Sequence, residues 1–253
     1  MSYSRRADIY DVEYAEDRDR DFVLSLIGET DRVLEVPCGA GRLSRWIAEK
    51  AAELTLVDIE PKMVGRALES ARPGARALLE GRVVDMRTLD LGREFDLALI
   101  PREALQLLTP ADGARALAAV GAHVAPGGLM FVDLATFAGA CPGDPDYYDG
   151  AAADGAWRDN WTRRLEAGAE LTRRSQQTRE SDSILFELDY FIRRGGDETE
   201  TWRSQMRLFR YDHAFLEAAA PRGMSLAAIY GGYDKTDFSA IAPRLLALYR
   251  KSA

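Results

Sequence analysis

The chain has 253 residues, of which 47% are hydrophobic and 29% charged, and its formal net charge at pH 7 is -8. This composition is typical of a folded globular protein and excludes a disordered or fibrous chain. The negative charge disfavours nucleic acid as a partner. The two cysteines and two histidines lack metal-ligand spacing, so we expect no metal site.

The apolar pattern also bears on location. Residues 1–21 contain no apolar leader, and the most apolar stretch, residues 116–135, is interrupted by His123 and Pro126. We therefore expect a cytoplasmic protein without a membrane partner.

The first half of the chain follows a regular alternation. In the N-terminal region, residues 1–30, residues 14–27 predict a helix that packs over the mouth of a ligand site. In residues 31–136, short β-branched runs alternate with helical patterns, which indicates a parallel sheet covered by helices. The predicted strands are residues 33–36, 54–57, 82–84, 95–100 and 129–133, and the predicted helices are residues 43–51, 61–71 and 111–124.

The pattern changes after the fifth strand. Residues 137–155, rich in Gly, Pro and Asp, predict a linker, and residues 157–211 predict an antiparallel sheet of three or four strands with a hairpin turn at Gly195 and Gly196. Residues 137–211 would then form a cap. Residues 212–253 predict one helix and two strands that return to the first sheet.

Together these elements define the expected fold. It is an α/β fold with a doubly wound, Rossmann-like, mostly parallel seven-stranded sheet, and an antiparallel β cap is inserted after strand five.

Acidic residues and glycines cluster where the first two strands end. Gly39 and Gly41 follow strand one and lack Cβ atoms, so backbone can approach a ligand closely there. Glu35 stands where a carboxylate can meet a ligand ammonium, and Asp58 ends strand two, where a carboxylate accepts hydrogen bonds from both ribose hydroxyls. Such glycines also serve turn geometry alone, and such an aspartate also caps helices.

The next two strand ends carry further polar groups. Asp85 can accept a hydrogen bond from an adenine amino group while Met86 packs on the ring, although a strand-end aspartate with a core methionine gives the same pattern. Pro101, Arg102 and Glu103 follow strand four beside the expected crevice.

As a set, five segments resemble the class I S-adenosylmethionine-dependent methyltransferases of small molecules. They are LEVPCGAGR at 34–42, VDIEPKM at 57–63, VDMR at 84–87, FDLALI at 95–100 and VAPGGLMF at 124–131. The resemblance implies S-adenosylmethionine as the cofactor, which becomes S-adenosylhomocysteine, and a small-molecule acceptor methylated on nitrogen or oxygen.

The resemblance also assigns roles to residues. It implies that Gly39 and Gly41 hold the methionine part, Asp58 the ribose, Ile59 and Met63 the adenine face, and Asp85 with Met86 the adenine edge. Pro37 stands where the family usually has glycine, so we expect the loop either to differ in detail or to lose one backbone donor to the methionine carboxylate. The segment around Tyr10 and Tyr14 resembles a lid that reaches the methionine part, with Arg18 or Arg20 on its carboxylate; an amphipathic surface helix is the alternative.

Candidates for the acceptor end are less specific. Glu103 is the predicted base or amine anchor, and Arg102, Gln106, Tyr147 and Arg207 are the predicted acceptor contacts; each is alternatively a solvated surface residue.

Three other functions stay open. A non-catalytic S-adenosylmethionine-binding regulator would keep the cofactor half, and the cap could mediate a homodimer. An NAD-dependent oxidoreductase would need a third glycine where this chain has Ser44.

Overall fold

The computed structural model describes residues 9–14, 16–138, 147–165, 168–195 and 197–253. Its helices are α1 (Tyr10–Glu13), α2 (Arg20–Leu24), α3 (Ser44–Lys50), α4 (Pro61–Ala71), α5 (Pro110–Ala122) and α6 (His213–Ala218). Short 3-10 turns occupy Met86–Thr88 and Ala104–Leu107. The strands of the larger sheet are β1 (Arg32–Glu35), β2 (Glu53–Asp58), β3 (Leu78–Val83), β4 (Phe95–Ile100), β5 (Val124–Ala135), β10 (Met224–Tyr230) and β11 (Arg244–Lys251), and those of the smaller sheet are β6 (Arg158–Arg164), β7 (Glu170–Arg179), β8 (Ser183–Arg194) and β9 (Asp197–Phe209).

The larger sheet, which we call the core sheet, confirms the predicted fold class. Its strand order is β10-β11-β5-β4-β1-β2-β3, and β1 to β5 pair in parallel. Strand β11 runs antiparallel to both β5 and β10. The order reverses between β1 and β4, which is where ligands bind in doubly wound sheets.

Helices cover both faces of the core sheet, so alternate residues of one strand enter different apolar clusters. In β1, Leu34 packs with Leu117 and Leu216 on one face. Val33 packs with Phe22 and Ile47 on the other. Because both faces are buried, the inner strands are continuously apolar, which made them recognisable in the sequence.

The smaller sheet, which we call the cap sheet, is antiparallel throughout in the order β6-β7-β8-β9. One face buries Leu171, Phe186, Leu188 and Tyr190 in a separate apolar cluster that also contains Ile9 from the N-terminal segment. The cap sheet therefore packs against the beginning of the chain.

The predicted helix over residues 14–27 is confirmed only in part: α2 covers Arg20–Leu24 within that range, and α1 lies before it. Residues 18 and 19 form a turn just before α2. The turn directs the carboxylate of Asp19 inward, where it pairs with Arg42. A buried ion pair of this kind fixes the chain direction and competes with a continuous helix.

The third strand also differs from its prediction. Strand β3 spans Leu78–Val83, whereas residues 82–84 were predicted. As the edge strand of the core sheet it is only partly covered, and Leu78 is 75% exposed. An edge strand lacks the continuous apolar run by which the inner strands are recognised. Of the predicted linker, residues 139–146 lie outside the described residues, as does Gly196 of the predicted hairpin turn.

Candidate functional site

A cavity of about 330 Å³ lies at the carboxyl ends of β1, β2 and β4, under the cap sheet. Three parts of the chain enclose it: the N-terminal segment with Tyr10 and Tyr14, the strand ends of the core sheet, and β9 with Met206 and Leu208. Of the predicted site residues, Tyr14, Glu35, Pro37, Gly39, Asp58, Ile59, Met63, Asp85, Met86, Pro101, Arg102, Glu103 and Tyr147 line it.

Gly39 and Asp58 form one hydrogen-bonded unit at the floor of the cavity. The Gly39 N–H donates to Asp58 Oδ2 at 3.1 Å, and the Glu60 N–H donates to Asp58 Oδ1 at 2.9 Å. Burial raises the pKa of Asp58, and these backbone donors oppose the rise. Gly39 has φ +52°, and a Cβ there would lie 2.8 Å from Tyr10 Oη. Glycine at this position therefore leaves room beneath the N-terminal segment.

Gly41 packs closely against a helix. A Cβ at Gly41 would stand 2.7 Å from the Cα of Ala67, and its φ is +94°. Among the described residues it is outside the cavity lining. Gly41 lets the turn pack directly against the backbone of α4, so it supports the cavity without reaching into it.

Glu35 is a buried carboxyl group at the end of β1. It is 2% exposed and accepts a hydrogen bond of 2.6 Å from Ser44 Oγ. Burial raises the pKa of Glu35 to about 8 despite that hydrogen bond. The neighbouring thiol of Cys38 is also buried, and burial raises its pKa strongly, so the thiol is neutral.

One end of the cavity is an apolar slot with a polar edge. Ile59, Met63 and Met86 line the slot. Ile59 is 60% exposed, unusual for so large an apolar side chain at the end of an inner strand. Asp85 supplies the edge; the Arg87 guanidinium donates to it at 3.0 Å and holds the pKa of Asp85 below its usual value.

At the exit of β4 the backbone takes an unusual path. Arg102 and Glu103 follow one another with φ of 42° and 49°, a left-handed conformation that costs about 1–3 kcal/mol per residue outside glycine. Asp133 on β5 holds both: its Oδ2 accepts from the Arg102 N–H at 3.2 Å, and its carbonyl accepts from the Glu103 N–H at 3.0 Å. The strained turn directs both side chains into the cavity.

The Glu103 carboxylate belongs to a buried ionic cluster. Arg244 donates to both Glu103 and Asp133, and all three side chains are buried. Tyr147 Oη donates to Glu103 Oε2 at 3.4 Å, and Tyr233 Oη donates to Asp133 Oδ2 at 2.8 Å. Two residues predicted for the acceptor end, Glu103 and Tyr147, are thus brought together.

Sequence reasoning missed Asp133 and Arg244. Asp133 was visible as one charged residue within an apolar strand. The position of Arg244 depends on the return of β11 beside β5, which no local pattern shows.

Gln106, predicted to contact the acceptor, does not line the cavity; its side chain is fully buried elsewhere. Its Nε2 donates to the carbonyls of Ala135 and Phe209 at 3.1 and 3.0 Å, and its Oε1 accepts from the Ala135 N–H. Because these bonds satisfy the amide, Gln106 joins the end of β5 to the end of β9.

Arg207 was also predicted at the acceptor end, and it too lies outside the cavity. Its guanidinium pairs with Glu180 and donates to Ser183 Oγ at 3.2 Å. Side chains alternate along a strand, so Met206 and Leu208 on either side of Arg207 face the cavity while Arg207 faces away.

Positive charge enters the cavity from arginines other than Arg18 and Arg20. Arg18 pairs with Glu16, and Arg20 pairs with Asp17 and Asp21. Neither arginine is among the described residues that line the cavity. Three of the described arginines line the cavity: Arg42, Arg87 and Arg102.

Arg42 and Arg102 are each held by the N-terminal segment. Burial raises the pKa of Asp19, but its hydrogen bonds with Arg42 and the positive charges of Arg42 and Arg102 together keep that pKa below its usual value. The Arg102 guanidinium lies 5.4 Å from the ring centroid of Tyr14.

Comparison with known proteins agrees with this geometry. Residues 33–128 match the family described as methyltransferase domain. No curated protein matches the chain in sequence.

Solved structures give full-length matches. An S-adenosylmethionine-dependent methyltransferase from Clostridium acetobutylicum is 17% identical with a TM-score of 0.76, and all of both chains is covered. The amino pentose methyltransferase CalS10 from Micromonospora echinaspora, solved with S-adenosylmethionine bound, is 24% identical with a TM-score of 0.64 over 100% of this chain and 92% of that one. The sugar N-methyltransferase KedS8 from Streptoalloteichus is 20% identical with a TM-score of 0.71 over 97% and 92%.

The fold, with its reversal of strand order beside the cavity, is that of the class I methyltransferases. Residues 33–128 are similar in sequence to the methyltransferase domain family, and the chain as a whole shares the fold of solved S-adenosylmethionine-dependent methyltransferases. In the described part of the chain, no helix is long and apolar enough to cross a membrane.

Proposed function

We propose that the chain is an S-adenosylmethionine-dependent methyltransferase that transfers the methyl group to an amine nitrogen of a small molecule. The observation that carries the proposal is the Glu103 carboxylate, which accepts a hydrogen bond from Tyr147 and lines the same cavity as the apolar side chains of Met206 and Leu208. A buried carboxylate that receives hydrogen bonds suits an acceptor carrying N–H groups. CalS10 and KedS8, whose names refer to amino pentose and sugar nitrogen methylation, have the same fold.

The cofactor fits the other end of the cavity. We assign its ribose to Asp58, whose carboxylate is already oriented by two backbone donors, and its adenine to the slot of Ile59, Met63 and Met86. We assign the methionine part to the portion of the cavity that Gly39 and Tyr10 both line. Arg42 and Arg102 bring positive charge that complements a carboxylate.

When bound, S-adenosylmethionine supplies a methyl group activated by a positively charged sulfur. The protein aligns the acceptor nitrogen with that methyl group and excludes water, and positioning of this kind can contribute about 7–11 kcal/mol. An ammonium has no lone pair, so the acceptor must lose a proton before it attacks. Glu103 Oε2 takes that proton, while Arg244 and Tyr147 hold the carboxylate in place.

The test is methyl transfer to matched acceptors. Pairs of amines and their hydroxyl analogues, among them amino sugars and the parent sugars, are incubated with protein and isotope-labelled S-adenosylmethionine, and the products are identified by mass spectrometry. We expect methylation of the amines, with kcat/KM lowered about 100-fold by Glu103→Gln.

The control variant is Glu180→Gln, which changes a carboxylate paired with Arg207 outside the cavity and should leave the rate unchanged. Thermal unfolding and cofactor titration verify that Glu103→Gln is folded. Methylation of the hydroxyl analogues in preference to the amines would overturn the assignment of nitrogen.

A further inference from the structure

The N-terminal segment is joined to the cap sheet by a buried ion pair. Helix α1 places Tyr10 and Tyr14 in the cavity lining, whereas Glu13 points away from the cavity into the cap. There, Glu13 Oε1 accepts hydrogen bonds from Arg173 Nη1 at 3.1 Å and from the hydroxyl of Tyr190. Glu13, Arg173 and Tyr190 are all buried. We call these three residues the clamp.

A second contact also joins α1 to the cap sheet. Arg163 on β6 donates to the carbonyls of Val12 and Glu13, at the C-terminal end of α1, where helix carbonyls lack partners within the helix. Arg163 is itself placed by β6, so the backbone and the side chain of α1 are both held by the cap sheet.

Helix α1 has only four residues and cannot hold its own position. Helices much shorter than about 12 residues are unstable in water without tertiary contacts. The contacts that fix α1 come from β6, β7 and β8, which places control of the two cavity tyrosines in the cap.

Arg173 also reaches toward the acceptor end. Its guanidinium lies 5.7 Å from the ring centroid of Tyr147, the residue that donates to Glu103, and its Nε donates to Asn160 at 3.0 Å. One buried arginine therefore contacts both the anchor of the N-terminal segment and a side chain of the proposed acceptor site.

We propose that Glu13, Arg173 and Tyr190 are positioning residues for cofactor binding: through them the cap sheet holds Tyr10 and Tyr14 over the cofactor site. The inference rests on the proposed placement of S-adenosylmethionine in this cavity. Without the clamp, the core sheet keeps Asp58 and the glycine turn, but the cofactor loses the cover of the two tyrosines.

The chain offers a closely matched control. Arg174, the next residue on β7, faces the opposite side of the cap sheet, where it pairs with Asp189 at 2.9 Å and lies 4.6 Å from the ring centroid of Trp157. Arg173 likewise pairs with a carboxylate and lies 4.8 Å from the ring centroid of Trp161. Arg173→Met and Arg174→Met thus remove the same kind of contact from the two faces of one strand.

The experiment measures the dissociation constants of S-adenosylmethionine and S-adenosylhomocysteine by calorimetry for both variants. We expect Arg173→Met to weaken binding at least tenfold and Arg174→Met to change it less than twofold. Glu13→Ala should reproduce the loss, and the double variant should bind no more weakly than Arg173→Met alone, since both substitutions break the contact between Glu13 and Arg173. Glu13→Gln, which keeps the hydrogen-bond acceptor, should recover most of the affinity.

A second readout needs no cofactor. Hydrogen exchange of residues 9–14 in the free protein should be faster in Arg173→Met than in the wild-type chain, with exchange in β1 and β2 unchanged. If Arg173→Met fails to fold, Glu13→Ala decides, because Glu13 lies in the N-terminal segment outside both sheets.

The outcomes distinguish the proposed role of the clamp from the proposed placement of the cofactor. Unchanged cofactor affinity in Glu13→Ala, or equal losses in Arg173→Met and Arg174→Met, would overturn the clamp. A wild-type protein that binds neither compound would overturn the proposed cofactor placement and with it the role of the clamp in binding. Hydrogen exchange would still show whether the clamp holds α1.

Discussion

The two sheets contribute to the cavity in different ways. The core sheet supplies side chains from the ends of its strands, such as Glu35 and Asp58, where the chain leaves the sheet. The cap sheet supplies them from the face of a strand, where Met206 and Leu208 point inward and Arg207 between them points outward. Residues at a strand end reach the cavity whatever the strand register. Residues on a strand face reach it only if the register turns their side chains inward.

The two sheets also bury charge for different purposes. In the core sheet, Asp133 and Arg244 fix a strained turn that presents Glu103. In the cap sheet, Arg173 fixes a short helix that would not hold its place alone. Breaking a buried pair by removing one partner typically costs about 3–5 kcal/mol, so both clusters are sensitive to single substitutions.

The largest effect is expected at Glu35 in the core sheet, and it depends on pH. The folded state keeps Glu35 protonated up to a pKa of about 8, whereas the ordinary value is 4.5. Between these values the folded state binds more protons than the unfolded state, so the free energy of unfolding falls as pH rises and levels off above the folded pKa.

The glutamine side chain of Glu35→Gln cannot ionise, so the free energy of unfolding of this variant should not fall in this way as pH rises. From about pH 5 to about pH 9, the free energy of unfolding of the variant, measured with urea, should rise by on the order of 3 kcal/mol relative to that of the wild-type chain. An equal difference between the two proteins at both pH values would show that Glu35 is not a buried acid.

A smaller effect, specific to the cap sheet, is expected from two adjacent residues of β9. Met206→Ala should raise KM for the acceptor about tenfold, because it removes apolar surface from the cavity wall. Arg207→Met should leave KM within about twofold, since Arg207 pairs with Glu180 on the other face. Steady-state kinetics at saturating cofactor measures both, and a larger effect from Arg207→Met would reverse the assigned strand faces.

This contrast explains how much could be predicted from the sequence. The core sheet was predictable because its buried strands are continuously apolar and its site residues follow them directly, as Asp58 follows 54–57. Thirteen predicted residues line the cavity, and most come from those strand ends.

The residues predicted in the cavity but found outside it have two kinds of physical cause. Arg207 was misplaced because strand register is not visible in one sequence. Gln106 was misplaced because its partners, Ala135 and Phe209, are distant in sequence. The clamp was missed for the same reason, since Glu13 and Arg173 are brought together only by the tertiary fold.

The most direct test of the proposed cofactor site is calorimetric titration of the wild-type chain and Asp58→Ala with S-adenosylmethionine. Loss of hydrogen bonds to a charged, partly buried carboxylate predicts at least about 100-fold weaker binding in Asp58→Ala, with the fold retained. Equal affinity in the two proteins would contradict the site, because the cofactor would then bind without the carboxylate at the end of β2.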